Sequence, residues 1–391
     1  MNMDRFAGDS LRILELVQGV RRMGAEVTTI IPKGGSSSVS SRFEPSIKFQ
    51  TLPVSNLALK YFSLSLFSQY MVPPPVYHDR FDIVQIESAY ALPLSKMRRL
   101  AGKNNIVFDM HSIAALDLEP YLPFPLRIAI SSALHTSQDF LCKKARCIVV
   151  SNSMKTYVMR RLGIDAARIH VIANGVNLEM AETSIRTRRE VYEHLRSGTD
   201  PLLVYVGGLE WFEGVDLMIE SVSQLKARFP NIGLVIAGKG SQESNLREMV
   251  QRLGIGNNVQ FLGWVQYEDT FALQSVADIL VAPRKPLRRG GIDISTPMKI
   301  PSYLSAGKPI IASGVGEIPF VVRNMQEALI VQCIEPSGFR AAVEQIATDS
   351  ELARKLSRGC LLRAKEYSWA EIASKLFQLY RLMLDNSDEA G

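Results

Sequence analysis

The feature that most constrains this chain is an alternation that runs almost from end to end. Short runs rich in β-branched residues are separated by longer stretches whose apolar residues recur at helical spacing. Runs of the first kind lie at Glu26–Ile31, Ile47–Leu52, Ile83–Glu87, Ile106–Asp109 and Cys147–Val150. A second set follows at Leu202–Val206, Gly233–Ala237, Val259–Leu262, Ile279–Ala282 and Pro309–Ala312. Between them the 3.6 period predicts helices at Gly8–Met23, Ser153–Leu162, Val215–Phe229, Glu243–Leu253 and Pro297–Ala306. Strand, helix, strand repeated in this way predicts a parallel sheet with helices on both faces. The 391 residues exceed what one core usually supports, so the two sets are read as two doubly wound α/β domains, with ligands at the carboxyl ends of the strands.

The boundary is placed in Ile172–Asn177, where Asn174-Gly175 is a turn signal and a charged, poorly periodic stretch, Glu182–Asp200, follows. That gives an N-terminal domain over 1–175, a C-terminal domain over 176–368 and a last helix with its tail over 369–391. The stripe Trp369, Ile372, Leu376, Leu379 and Leu382 defines the apolar face of that helix. The chain enters its first helix almost at once, with Asp9 or Ser10 as cap, so the opening strand of a doubly wound domain reads as missing.

Composition narrows the function classes. Cys142, Cys147, Cys333 and Cys360 lack C-x-x-C spacing, which argues against a zinc site or a disulfide framework and fits a reducing compartment. With no long apolar run and no signal-peptide pattern, the expectation is a cytoplasmic protein. The first 170 residues hold 21 Lys and Arg against 13 Asp and Glu, whereas the remainder holds 24 against 26. A basic first half suggests an anionic partner such as a lipid headgroup or membrane surface; a plain solubilising surface is the alternative. Scattered basic residues without a binding motif argue against nucleic acid. The aromatic segment Leu57–Tyr77 reads as a core helix stopped by Pro73. Its alternative is an apolar patch that meets the inner face of a membrane beside Lys96, Arg98, Arg99 and Lys103.

Three stretches then stand out together: R-I-H-V-I-A-N-G-V-N-L-E-M (Arg168–Met180), L-L-V-Y-V-G-G-L-E-W-F-E-G-V-D-L-M-I (Leu202–Ile219) and T-P-M-K-I-P-S-Y-L-S-A-G-K-P-I-I-A-S (Thr296–Ser313). With V-I-A-G-K-G (Val235–Gly240), V-Q-F-L-G-W-V (Val259–Val265) and Y-S-W-A-E-I-A near the C-terminus, they resemble the group-1 glycosyltransferases, family 4 retaining enzymes of the GT-B fold. The order of motifs matches over most of the chain. The resemblance implies a nucleotide-sugar donor (UDP-, GDP- or ADP-linked) in the C-terminal domain. It implies an acceptor, whether glycan, lipid-linked or small molecule, in the N-terminal domain, and catalysis in the cleft between them. It also implies a last helix that crosses back to the first domain, and transfer with retention and without a metal or other cofactor.

A departing nucleoside diphosphate develops negative charge that amides and cations must stabilise. Gly207 and Gly208 follow a predicted strand and let the backbone approach a diphosphate. G-G-L-E-W-F-E-G is not a G-x-G-x-x-G fingerprint, so a dinucleotide dehydrogenase is disfavoured. Lys299 stands third in a predicted helix capped by Thr296 with Pro297 first, an anion-attracting end. Gly238, Val265, Ile294 and Ser295 complete the donor-binding set that the resemblance implies. In V-F-D-M-H-S, His111 ends a strand, where the resemblance puts a histidine that contacts the donor sugar; Asp109 lies on the same face.

The departures from the pattern are specific. Where the family carries a glutamate pair, Ile294 and Ser302 stand; Asp293, adjacent, is the candidate carboxylate for the sugar hydroxyls, and Ser302 for a ribose hydroxyl. Gly208 and Glu213 stand where Arg and Lys are common. These losses motivate a competing reading, a binding or regulatory subunit that keeps the fold without turnover.

Overall fold

The computed structural model describes residues 8–32, 48–52, 81–87, 105–113, 124–289, 292–293 and 298–388. The chain divides into two compact units, Met1–Ala173 with Ile372–Gly391, and Asn174–Glu371.

The first unit runs α1 (Gly8–Arg22), β1 (Thr28–Pro32), β2 (Lys48–Leu52), β3 (Val84–Ile86), β4 (Ile106–Met110), α2 (Phe124–Lys144), β5 (Arg146–Val149), α3 (Asn152–Leu162) and β6 (Ile169–Val171). Among the described residues β1 pairs β2, and β3-β4-β5-β6 form a second ladder; every pairing is parallel. β4 is buried along its whole length, as a strand covered on both faces must be. Helix α3 starts and stops by local chemistry. The Ser151 hydroxyl accepts from the Met154 amide at 3.0 Å, and Gly163 takes the left-handed conformation that ends it, at φ 63°.

The second unit runs α4 (Leu178–Glu193), β7 (Leu202–Val206), α5 (Val215–Leu225), β8 (Gly233–Ala237), α6 (Glu243–Arg252), β9 (Val259–Gly263), α7 (Tyr267–Ser275) and β10 (Ile279–Ala282). A short antiparallel pair follows, β11 (Arg288–Arg289) with β12 (Ile292–Asp293), then α8 (Lys299–Ser305), β13 (Ile310–Ser313), β14 (Ala328–Val331), α9 (Pro336–Thr348) and α10 (Ser350–Glu366); the last helix, α11 (Trp369–Asp388), begins in this unit and belongs to the first from Ile372. Its main sheet is wholly parallel in the order β14-β13-β10-β7-β8-β9. Leu203, Tyr205, Ile236 and Val281 pack on one face with α5 and α9, while Val204, Val235, Leu280 and Ala312 pack on the other with Leu273, Ile300 and Tyr303. The two parallel-sheet units match the α/β expectation.

Several local expectations need correction. The charged stretch after the boundary is not irregular: Asn177 Oδ1 accepts from the Met180 amide at 2.9 Å and starts α4. Ala181 and Ser184 are its buried residues, and a stripe that narrow leaves almost no periodic signal. Strands β6 and β14 lie outside the predicted set; β6 has only three residues, one of them His170, too short to register as an apolar run. On α11 the buried stripe ends at Met383 rather than Leu382, because the fourth residue after Leu379, not the third, faces inward; Leu382 is exposed. From Ile372 onward that helix belongs to the first unit, so it does cross back. No helix among the described residues is long and apolar enough to cross a membrane. Leu57–Tyr77 and the basic residues Lys96, Arg98, Arg99 and Lys103 lie outside the described residues.

Candidate functional site

The sheet order of the second unit fixes where a ligand crevice lies. From β7 the chain winds outward through β8 and β9, then returns to place β10 on the other side of β7. Crossover connections leave in opposite directions at this switch point, so a crevice opens at the carboxyl ends of β7 and β10. Gly207 and Gly208 follow β7, Pro283 and Arg284 follow β10, and Lys299 opens α8.

These segments meet in one charged cluster. Glu213 Oε1 accepts from Arg284 Nη1 at 2.5 Å, while Oε2 is paired with Lys299 Nζ. Lys299 Nζ also donates to the Tyr205 hydroxyl at 2.8 Å and lies 4.3 Å from the Tyr205 ring centroid. The Tyr205 hydroxyl in turn donates to the Gly208 carbonyl at 2.6 Å, and Arg284 lies over the Phe212 ring at 4.8 Å. Gly207 lets the ammonium lie close to the backbone: a Cβ there would sit 2.6 Å from Lys299 Nζ. Burial would raise the Glu213 carboxyl, but the charges of Lys299 and Arg284, with hydrogen bonds from Lys299 and Tyr205, hold it below its ordinary value. Burial depresses the Lys299 ammonium, against the opposing pull of Glu213. The Tyr205 hydroxyl is pushed well up by burial and then by the Glu213 charge, so it stays protonated.

The structure thus brings Gly207, Gly208 and Lys299 together. The helix that Lys299 opens has only seven residues, starting at Lys299 rather than Pro297, so the ammonium and not the helix end supplies the positive charge. Gly238 follows β8 and donates its amide to the Gly263 carbonyl at 2.7 Å, which locks the ends of neighbouring strands. Ser302 is buried, with its hydroxyl donating to Gln274 Oε1 at 2.9 Å. Val265 is partly buried against the core, while its neighbour Trp264 is exposed. Asp293 ends β12 in register with Arg288; Ile294 and Ser295 lie outside the described residues.

A second polar cluster belongs to the first unit. His111 directly follows β4, and its Nε2 is 2.9 Å from Glu87 Oε2 and 3.6 Å from Asp109 Oδ1. Asp109 is fully buried, and Arg12 donates to it from both Nε, at 3.1 Å, and Nη2, at 2.9 Å. Gln85 donates to Glu87 at 2.5 Å and accepts from the Tyr380 hydroxyl of α11. Burial works to raise Glu87, but the His111 hydrogen bond and charge, then Gln85 and Arg12, bring its carboxyl below the ordinary value. Burial raises Asp109 despite Arg12 and His111. The ligand atoms of Glu87, Asp109 and His111 lie within 4.8 Å of one another, a spacing that a cation could use, but Arg12 already supplies the countercharge to Asp109.

The partners Glu87, Arg12, Tyr380 and Arg284 were not singled out from the sequence. Glu87 had a signal, since it closes a predicted strand at the carboxyl end, as His111 does. The others come from distant segments and carried none.

Comparison with known proteins agrees with both units. The model for glycosyl transferases group 1 matches residues 187–359, and that for Glycosyltransferase Family 4 matches residues 8–180. Glycogen synthase of Mycobacterium tuberculosis is 26% identical over 254 residues, which is 64% of this chain and 58% of that protein. D-inositol 3-phosphate glycosyltransferase of Corynebacterium glutamicum is 25% identical over 245 residues, covering 60% and 56%. The match therefore spans less than two thirds of the length of either relative. Among solved structures, the Anabaena protein HepE in complex with UDP superposes with a TM-score of 0.68 at 14% identity over 96% of each chain. Sucrose-phosphate synthase of Thermosynechococcus elongatus does so with a TM-score of 0.70 at 20% identity, covering 97% of this chain and 94% of that one.

Proposed function

The chain belongs to the group-1 glycosyltransferases, and from that premise we propose that it transfers a sugar from a nucleoside-diphosphate donor to an acceptor hydroxyl, with retention and without a metal. In this reading the bond from the anomeric carbon to the β-phosphate oxygen breaks as the acceptor oxygen bonds to the same carbon. The hydroxyl proton passes to the departing diphosphate. One observation carries the reading: Lys299 Nζ lies against Gly207 at the β7/β10 switch point, where a sugar nucleotide's diphosphate would meet both backbone amides and a fixed cation. His111, steadied by Glu87, would contact hydroxyls of the sugar, and Asp293 would supply a further carboxylate to them.

The test is calorimetry with UDP, GDP, ADP and their common sugar conjugates on wild type and Lys299→Ala. One nucleotide should bind, and the variant should weaken it by roughly 10- to 100-fold, the loss of about 1.5–3 kcal/mol expected for a hydrogen bond to a charged group. HepE is described in complex with UDP, which puts UDP first in the panel. If no nucleotide binds to folded wild type, the non-catalytic scaffold replaces the enzyme.

A further inference from the structure

The cluster at the switch point has an unusual balance. Two cations, Arg284 and Lys299, share one carboxylate, Glu213, so the formal sum is positive although all three side chains are about nine-tenths buried. A buried charge in excess of its partners is costly, and such an excess persists where something else completes it. The donors point the same way. Arg284 Nη1 serves Glu213, but among the described residues its buried Nε meets no acceptor. Lys299 spends two N–H bonds, on Glu213 and Tyr205, and among the described residues its third meets no acceptor. Leaving a buried donor such as the Arg284 Nε unmade costs about 1–3 kcal/mol, which an anionic ligand would recover.

The two cations also reach this place from different segments. Arg284 follows β10, Lys299 opens α8, and Glu213 comes from the loop after β7. Without the carboxylate, the neighbouring ammonium and guanidinium would repel each other. With it, both are held in fixed positions.

We propose that Arg284 joins Lys299 as a diphosphate-binding cation in this chain, and that Glu213, bonded to both, is the positioning residue that holds them side by side. This rests on the nucleoside-diphosphate reading above. It accounts for an acidic residue in an anion site: Glu213 is not a ligand of the donor but the anchor of two groups that are. Among the described residues the groups facing Lys299 are Glu213, Arg284 and Tyr205, and Glu213 is the anion among them that favours a protonated ammonium.

Glu213→Gln keeps the shape and removes that anion. The variant's Lys299 should then lose its proton at a lower pH than in wild type, since burial is no longer opposed by the carboxylate. The probe is whichever of UDP, GDP and ADP wild type binds best, measured from about pH 7 to about pH 8.5, where wild-type affinity should stay nearly flat and the variant's should fall about tenfold. Calorimetry in buffers of different ionisation enthalpy adds a readout that a merely structural role would not move. At the upper pH the variant should take up a proton on binding, wild type none, and Glu213→Gln with Lys299→Met should lose that uptake. Arg284→Lys keeps the charge and the pair with Glu213 but removes the spare guanidinium donors. It should bind about tenfold more weakly with little change in melting temperature, and it stands as the test should Glu213→Gln fail to fold. If wild type binds no nucleoside diphosphate, this proposal falls together with the donor reading. If wild type binds and both variants keep its affinity and pH profile, the roles of Arg284 and Glu213 alone are overturned.

Discussion

Arg12→Ala should lower the stability of the first unit by about 3–5 kcal/mol, the range measured when one member of a buried ion pair is removed and its partner is left behind. Arg12 is 1% exposed, and Asp109 is fully buried on an interior strand of its ladder. The guanidinium also donates to the Ala173 carbonyl at 2.9 Å, so the truncation strands a backbone acceptor as well as a carboxylate. The pH dependence has a definite sign. Burial already raises the Asp109 carboxyl, so the folded state holds its proton at a pH where the unfolded chain has released it. In that window stability falls as pH rises, and losing Arg12 widens it. The destabilisation should therefore be smaller in acid and grow toward neutral pH. Hydrogen exchange at the β4 amides reads this unit separately from the other. Arg12→Met with Asp109→Leu, which removes both charges, should recover much of the loss; a double variant as unstable as Arg12→Ala would show that the charge pair is not the cause.

Gly238→Ala should be nearly as damaging, for a different reason. Gly238 has φ 147°, and an added Cβ would lie 1.8 Å from the Gly207 carbonyl oxygen. That oxygen is backbone, so relief requires β7 and β8 to move apart at their ends. Strain of about 1–3 kcal/mol from the conformation and a similar amount from overpacking put the cost at roughly 3 kcal/mol or more. Because Gly207 lies directly on Lys299, nucleotide affinity should fall with stability. Gly208→Ala is the control: a Cβ there meets nothing within 4 Å, so its melting temperature should stay close to wild type. Equal destabilisation by the two substitutions would remove the steric explanation.

Much of the candidate site was legible because it sits at strand ends. Gly207, Lys299 and His111 each follow or face a run whose character is set by neighbours in sequence, and the switch-point rule turns such runs into a ligand position. Glu213 was legible only as an oddity. Its meaning depends on Arg284 and Lys299, 71 and 86 residues further along, and no local pattern encodes a pairing over that distance. Ser302 was legible only by its place in a motif; that its hydroxyl donates to Gln274, 28 residues earlier, is likewise beyond any local pattern.

By itself the sequence determined the α/β class, the parallel strands and most of the helices, since these follow from the period of apolar residues and from caps such as Ser151 and Asn177 within a few positions. It also determined the family, through motifs that are contiguous. Only the tertiary structure decided which polar groups pair: Arg12 with Asp109, His111 with Glu87, and Glu213 between two cations. The physical reason is range. Helix and strand formation are settled by groups a turn or a ladder apart, whereas the fate of a buried charge is settled by whatever the fold brings within about 4 Å, however distant in the chain.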